Sequence, residues 1–355
     1  MIYQIKPVIG VTSKKKLIDY IKKNNWLTEY KYTTEFEKKF AKFTNSKNCI
    51  TFPNGTTTLT SILDCLNLKR GDEVLVSNYT MIATANAARF LGLKVNLVDI
   101  SNSDLCMCPQ DLKKKISKKT KAVIYTQMNG RNGQIKEILK ICKKNNVYLI
   151  EDAAHAIGTF INKKHAGNYG IASSFSFSMP KLITMGQGGA VITNNKLLSR
   201  KLRLYKNFGR KISGNDIHNT LGYNFKITDM QSILGIEQLR DINERIKKKK
   251  EIFKLYKKNL KSNKNIILLD FKSNETPWSI DIYSKKISHI KKILKQNNVH
   301  TRDVYPPLNS QKIYKHIKGM PVSNFYCKMG IWLPTSLDLK KSEIIKICKL
   351  INQIH

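Results

Sequence analysis

The feature that most narrows the possible folds is an alternation of short apolar runs with amphipathic stretches through the first half of the chain. Lys47–Phe52, Glu73–Ser77, Lys94–Asp99, Lys121–Tyr125 and Val147–Asp152 read as strands, while Thr56–Leu66, Ile82–Leu91 and Ile135–Asn145 read as helices. Several of the strand-like runs are continuously apolar, as expected of a parallel sheet covered on both faces. Chained β-α-β units of this kind predict a doubly wound α/β domain, which binds ligands at the carboxyl ends of its strands. A long helical stretch, about Thr228–Leu260, carries Ile233, Ile236, Leu239, Ile242 and Ile246 at helical spacing before it turns lysine-rich. It predicts a helix joining two domains. Residues 1–245 would form the large domain with an N-terminal segment. Residues 246–355 would form a smaller α+β domain containing Tyr305-Pro306-Pro307 and Leu333-Pro334.

Hydrophobic residues make up 41% of the 355, enough to bury a sizeable core. The net charge of +38 admits nucleic acid, an anionic membrane or an anionic substrate as partner. The basic runs Lys14–Lys16, Lys113–Lys115 and Lys247–Lys250 lie on predicted helices or loops. None is interleaved with aromatics as a single-strand-binding platform is. A solvated basic surface is expected, attractive to a nucleotide diphosphate, with neither nucleic acid nor membrane as partner. No apolar run approaches the roughly 20 residues needed to span a bilayer. Met1–Thr12 lacks a signal-peptide core, so the cytoplasm is the expected location. Seven scattered cysteines, with Cys106 and Cys108 spaced C-x-C, fit free thiols better than disulfides or zinc ligands.

Four segments carry chemistry. Phe52-Pro53-Asn54-Gly55-Thr56-Thr57-Thr58 joins a strand to a helix. The glycine allows a tight turn, and the helix start presents N–H groups and hydroxyls to an anion. Val147–Asp152 is an apolar strand ending in Glu151 and Asp152, followed by Ala153-Ala154-His155-Ala156. A carboxylate there is placed to serve a ligand, and no second cluster offers metal-ligand spacing. Lys181 stands among small, aromatic and apolar residues, from Ser174 to the Gly-rich Gly186-Gln187-Gly188-Gly189. Desolvation lowers a lysine's pKa and makes it a nucleophile able to form a Schiff base. Finally, Leu221–Gln231 opens the long helix, with Thr228 and Gln231 spaced as a capping box.

In this order the segments resemble the DegT/DnrJ/EryC1/StrS sugar aminotransferases. The likeness includes Tyr79-Thr80-Met81-Ile82-Ala83-Thr84-Ala85-Asn86-Ala87, Gly222-Tyr223-Asn224 and the late Arg302…Tyr305-Pro306-Pro307. The resemblance implies the aspartate aminotransferase architecture, fold type I of the pyridoxal-phosphate enzymes. It also implies a homodimer with active sites at the subunit interface. By position, Lys181 looks like the Schiff-base lysine and Asp152 like the partner of the pyridine nitrogen. His155 falls near the cofactor's 3-hydroxyl, and Gly55, Thr56, Thr57 and Ser176 match phosphate-binding positions. Asn224 would reach the phosphate from the partner subunit. Met81 stands where the family often stacks an aromatic on the ring, with Tyr79 as a neighbouring candidate. Arg131, Lys226 and Arg302 are the candidates for the diphosphate, from charge and position. Gln187 and Met128-Asn129-Gly130-Arg131 look most like perosamine and viosamine synthases, which aminate C4 of nucleotide-linked 4-keto-6-deoxyhexoses. L-glutamate is the donor that the resemblance implies, and amination at C3 is the alternative. Family members with histidine in place of the lysine are dehydratases.

Overall fold

The structure, a computed structural model, describes residues 1–23, 25–212, 214–260, 263–315 and 317–354. Among the described residues thirteen strands are arranged in three sheets. The large sheet contains β1 (Asn48–Phe52), β2 (Glu73–Ser77), β3 (Lys94–Val98), β4 (Thr120–Thr126), β5 (Tyr148–Asp152), β8 (Ala172–Ser176) and β9 (Gly189–Thr193). Its order is β1-β9-β8-β5-β4-β2-β3. β6 (Phe160–Ile161) and β7 (Lys164–His165) form a hairpin. β10 (Ile267–Leu268), β11 (Ile280–Tyr283), β12 (Arg302–Asp303) and β13 (Gly330–Leu333) form an antiparallel sheet of order β10-β11-β13-β12.

The doubly wound expectation holds with one modification. β3, β2, β4, β5 and β8 are parallel, but β9 runs antiparallel between β8 and β1. The carboxyl ends of the parallel strands and the amino end of β9 therefore share one edge, which carries Asn54, Thr126, Asp152, Ser176 and Gly189. Gly189 is required by this arrangement. A Cβ there would lie 2.6 Å from both the carbonyl carbon and oxygen of Asn54, so only glycine lets β9 meet the turn after β1.

Two departures from the expected elements stand out. The long helix is two, Asp229–Arg240 and Ile242–Leu260, with Asp241 between them outside helical geometry. The Thr228–Gln231 capping box does open the first of the pair. Secondly, the N-terminal segment, assigned from sequence to the large domain, lies against the C-terminal sheet. Ile2 bridges Val299, and the Gln4 carbonyl accepts from the Thr335 N–H at 2.8 Å. The basic runs all lie on helices, yet Lys249 is buried instead of solvated. Its Nζ donates to the carbonyls of Trp278 (3.0 Å) and Thr335 (2.6 Å).

One apolar core joins the two large sheets. Val123, Tyr125 and Tyr79 from the first pack with Trp278, Tyr283, Val304 and Trp332 from the second. Another lies between the C-terminal sheet and helices Ile242–Leu260, Ile287–Gln296 and Lys341–Asn352. All seven cysteines are free thiols. Among the described residues no helix is long and apolar enough to cross a membrane.

Candidate active site

A cleft of about 310 Å³ opens at the shared edge of the large sheet. Asn54, Gly55 and Thr56 line it from the end of β1, Met81 and Thr84 from beyond β2, and Thr126 from β4. Asp152 and His155 come from β5 and its following turn, Ser176 from β8, and Lys181 from the turn before β9. Arg302 and Tyr305 close it from the C-terminal sheet.

The anion cradle is built by local capping. Asn54 caps helix Gly55–Cys65 by accepting the Thr57 N–H at 2.9 Å, while the Thr57 hydroxyl donates back to the Asn54 carbonyl at 2.8 Å. The Gly55 and Thr56 N–H groups lie in the first turn, where the helix itself offers no acceptor. A Cβ on Gly55 would sit 3.2 Å from the Ser176 Cβ, so glycine keeps the cradle open.

Asp152 is buried at the cleft floor. Its Oδ2 accepts from the Thr84 hydroxyl at 2.6 Å, and its Oδ1 accepts from the Ala154 N–H at 3.2 Å. The hydroxyl network continues from Thr84 to Thr80 and from Thr80 to Thr126, each step 3.0 Å. Burial pushes the Asp152 carboxyl up, opposed by the Thr84 bond, the Ala154 N–H and the positive Lys181. Burial brings Lys181 down to about 7, against the attraction of Asp152 and with the help of Arg302. His155 is held well below the ordinary imidazole range, first by burial and then by Lys181 and Arg302. The cleft thus presents a neutral imidazole, a lysine poised near neutrality and a buried carboxylate needing a cationic partner.

Not every expected residue arrives. Arg131 is only 1% exposed and sits between the sheets, its two Nη atoms 2.9 and 2.7 Å from the Asp281 carboxylate oxygens. Its charge is spent on Asp281 and on the Phe271 ring, 4.1 Å away, so it is a structural ion pair and no diphosphate ligand. Tyr79 is wholly buried in the core joining the sheets, so no face of it is left to stack on a ligand. Thr57 spends its hydroxyl on the cap and does not line the cleft. Lys226 lies in the segment before Thr228 and does not line it either, and Asn224, expected to serve the partner's cleft, is likewise absent from this one. Asn224 bridges Asn207, and the Lys226 ammonium rests 4.4 Å from the Phe208 ring centre. Met81 does line the cleft and is 44% exposed.

Sequence reading passed over Thr84, Thr126, Ser174 and Ser178, which also line the cleft. The rule that ligands sit at strand carboxyl ends was signal enough for Thr84 and Thr126. Trp278, packed behind His155 at a ring separation of 3.8 Å, had no comparable signal.

The model of the DegT/DnrJ/EryC1/StrS aminotransferase family matches residues 9–352. The chain belongs to that family. It is an enzyme, and the family's cofactor is pyridoxal 5′-phosphate. The chain is 31% identical over 354 residues to the GDP-perosamine synthase of Escherichia coli O157:H7, covering 98% of this chain and 97% of the relative. It is 30% identical over 342 residues to the UDP-4-amino-4,6-dideoxy-N-acetyl-beta-L-altrosamine transaminase of Campylobacter jejuni, covering 91% and 90%. Among solved structures, the aminotransferase TlmJ of Streptoalloteichus hindustanus superposes with a TM-score of 0.95 at 21% identity, covering 99% of this chain and 98% of TlmJ. The cleft fits the cofactor by its chemistry. An anion cradle, an amine and a buried carboxylate answer to a phosphate, an aldehyde and a basic ring nitrogen.

Proposed function

We propose that this enzyme transfers the amino group of L-glutamate to C4 of a nucleotide-linked 4-keto-6-deoxyhexose. The observation that carries the reading is Lys181. Its amine, brought near neutrality by burial, lines the same cleft as Asp152 and the Gly55–Thr56 cradle. Both relatives named above have names that denote or produce 4-amino sugars, which supports C4 over C3.

In this reading Gly55, Thr56 and Ser176 hold the cofactor's phosphate, Asp152 faces its ring nitrogen and Lys181 carries it covalently. Bound there, pyridoxal phosphate supplies an electron sink for the carbanion formed when an amino donor loses its α-proton. Lys181, once released, moves that proton. A base near pH 7 both accepts and returns a proton with little penalty, which suits a transfer that runs in two directions. Asp152 keeps its negative charge close to the ring nitrogen, and the Thr84 hydroxyl fixes which oxygen faces away. Arg302, at the cleft mouth beside Tyr305, is the cation available for the diphosphate. Asn224 and Lys226 belong to a segment whose Ile212, Ile217 and Leu221 are exposed. Covering those side chains with a second copy supports a homodimer in which this segment serves the partner's cleft.

The test is the absorbance spectrum of the protein with pyridoxal phosphate, before and after L-glutamate. Nucleotide-linked 4-keto and 3-keto sugars would then be added side by side. The proposal expects a near-visible band that fades with glutamate and returns with a 4-keto sugar. Lys181→Ala should abolish both the band and turnover. A band restored only by 3-keto sugars would move the reaction to C3. Near-normal turnover in Lys181→Ala would sink the assignment of that residue.

A further inference from the structure

We propose that Trp278, a residue of the C-terminal portion of the chain, is a positioning residue that holds both Lys181 and His155 in place. Three contacts from one side chain carry this. The indole lies flat on the His155 ring, with centroids 3.8 Å apart and planes at 10°. Its Nε1 donates to the carbonyl of Pro180, the residue before Lys181, at 2.9 Å. The Lys181 Nζ sits 4.5 Å from the indole centre. One side chain thus fixes the lysine's backbone, faces its amine and backs the imidazole of the same cleft.

Trp278 is itself held on several sides. Its backbone N–H donates to the Asn129 carbonyl at 2.9 Å, while the Asn129 N–H approaches His155 Nδ1 at 3.4 Å. The Lys249 ammonium binds its carbonyl at 3.0 Å, and Trp332 meets its ring edge-on at 5.3 Å. It is 5% exposed, so the indole has little room to choose another rotamer. An aromatic face beside an ammonium stabilises the protonated form, and that attraction grows in a desolvated site. The other titratable groups facing Lys181 are Asp152 from β5, which favours its charge, Arg302 from β12, which opposes it, and the neutral His155 ring that rests on the same indole. Arg302 reaches position 278 through the Trp332 ring, 5.4 Å from its guanidinium, so Trp278→Phe, which keeps a ring against Trp332, controls for its displacement. The inference rests on the reading of Lys181 as the amine that takes up the cofactor.

The experiment follows capture of pyridoxal phosphate by apoprotein as a function of pH, alongside steady-state kcat and KM for L-glutamate. Wild type and Lys181→Ala come first. If the wild type gains no near-visible band, or Lys181→Ala gains the same one, the reading of Lys181 fails whatever Trp278 does. Given a Lys181-dependent band, Trp278→Leu removes the aromatic face and the N–H, while Trp278→Phe keeps a ring and removes only the N–H. An amine must be neutral to attack the aldehyde, so losing the face should shift the pH midpoint of capture downward. The expected shift in Trp278→Leu is about one pH unit. Its kcat should fall about tenfold through loss of orientation, with KM for glutamate within about twofold. Trp278→Phe should restore the midpoint while leaving kcat partly reduced. Wild-type midpoint and kcat in the leucine variant would overturn the proposal. So would a kcat loss with an unmoved midpoint, since that marks a residue needed only for folding. If the leucine variant does not fold, Trp278→Met, also without an aromatic face or an indole N–H, takes its place and is read by the same outcomes.

Discussion

Replacing Thr84 with valine keeps the shape of the side chain and deletes two hydrogen bonds, the 2.6 Å donation from its hydroxyl to Asp152 Oδ2 and the 3.0 Å link to the Thr80 hydroxyl. A hydrogen bond to a charged acceptor contributes about 1.5–3 kcal/mol. That corresponds to about 1–2 pH units of carboxylate acidity. Burial already pushes the Asp152 carboxyl up, and Thr84 is the largest of the groups opposing it, so the deletion raises it further. In the proposed reading a more basic Asp152 would favour the ring nitrogen less as a cation, and the electron sink the cofactor supplies would be weaker. In Thr84→Val, kcat should fall about 10- to 100-fold, with KM for donor and acceptor changed by less than about twofold. Activity requires ionised Asp152, so the acid limb of the kcat profile should move upward by about one pH unit. Steady-state kinetics across pH, with circular dichroism to verify folding, gives both readouts. The nearby Thr80 hydroxyl loses one neighbour but keeps Thr126 at 3.0 Å, so collateral damage is small. A variant with wild-type kcat and an unmoved acid limb would show that the hydroxyl does not govern Asp152.

Three further outcomes follow from the packing. Gly189→Ala places a Cβ 2.6 Å from the Asn54 backbone, so the turn after β1 must shift. Titration should show weaker binding of pyridoxal phosphate, and unchanged affinity would mean that the cradle tolerates the shift. Arg131→Met leaves the buried Asp281 carboxylate with the Tyr283 hydroxyl at 2.7 Å but no cation. Denaturant unfolding should show a loss of about 3–5 kcal/mol, with KM for the sugar nucleotide unchanged in protein that remains folded. Lys249 is lowered to about 7 by burial, so between about pH 7 and its unfolded value near 10.4 the unfolded chain binds more protons there than the folded one. Its contribution to stability therefore rises with pH across that window, by up to about 1.4 kcal/mol per unit. Lys249→Met should flatten that slope in unfolding measured at several pH values.

Most of the parallel part of the fold was legible because several of its strands are apolar runs next to helices of helical period, whereas β8, Ala-Ser-Ser-Phe-Ser, gave no such signal. The insertion of β9 was not, since pairing between Gly189–Thr193 and Asn48–Phe52 leaves no local trace. The break at Asp241 escaped because Arg240-Asp241-Ile242 contains neither glycine nor proline. In the site, Lys181 and Asp152 stood out by being charged within apolar surroundings, and the structure puts both at one cleft. Arg131 stood in an equally suggestive motif. Its partner Asp281 is 150 residues away, and local sequence could not reveal that its charge was taken. Trp278 reaches Lys181 only through the packing of one sheet against the other, a contact that no spacing rule encodes.

β1 sits at the edge of the large sheet and pairs there with β9 alone, Asn48 meeting Thr193, 145 residues later in the chain. The turn that follows β1 and forms the anion cradle therefore lacks its sheet neighbour until Gly189–Thr193 has been synthesised and folded. Closing so long a loop is entropically costly and slow compared with making the neighbouring β-α-β contacts. During synthesis the cradle is among the last parts of the large sheet to be assembled. A nascent chain ending before β9 has β1 made and held by the Glu37 carboxylate at Thr51, but without a strand partner. With the phosphate held at the cradle as proposed, cofactor uptake would follow completion of the sheet and clamp the pairing of β1 with β9.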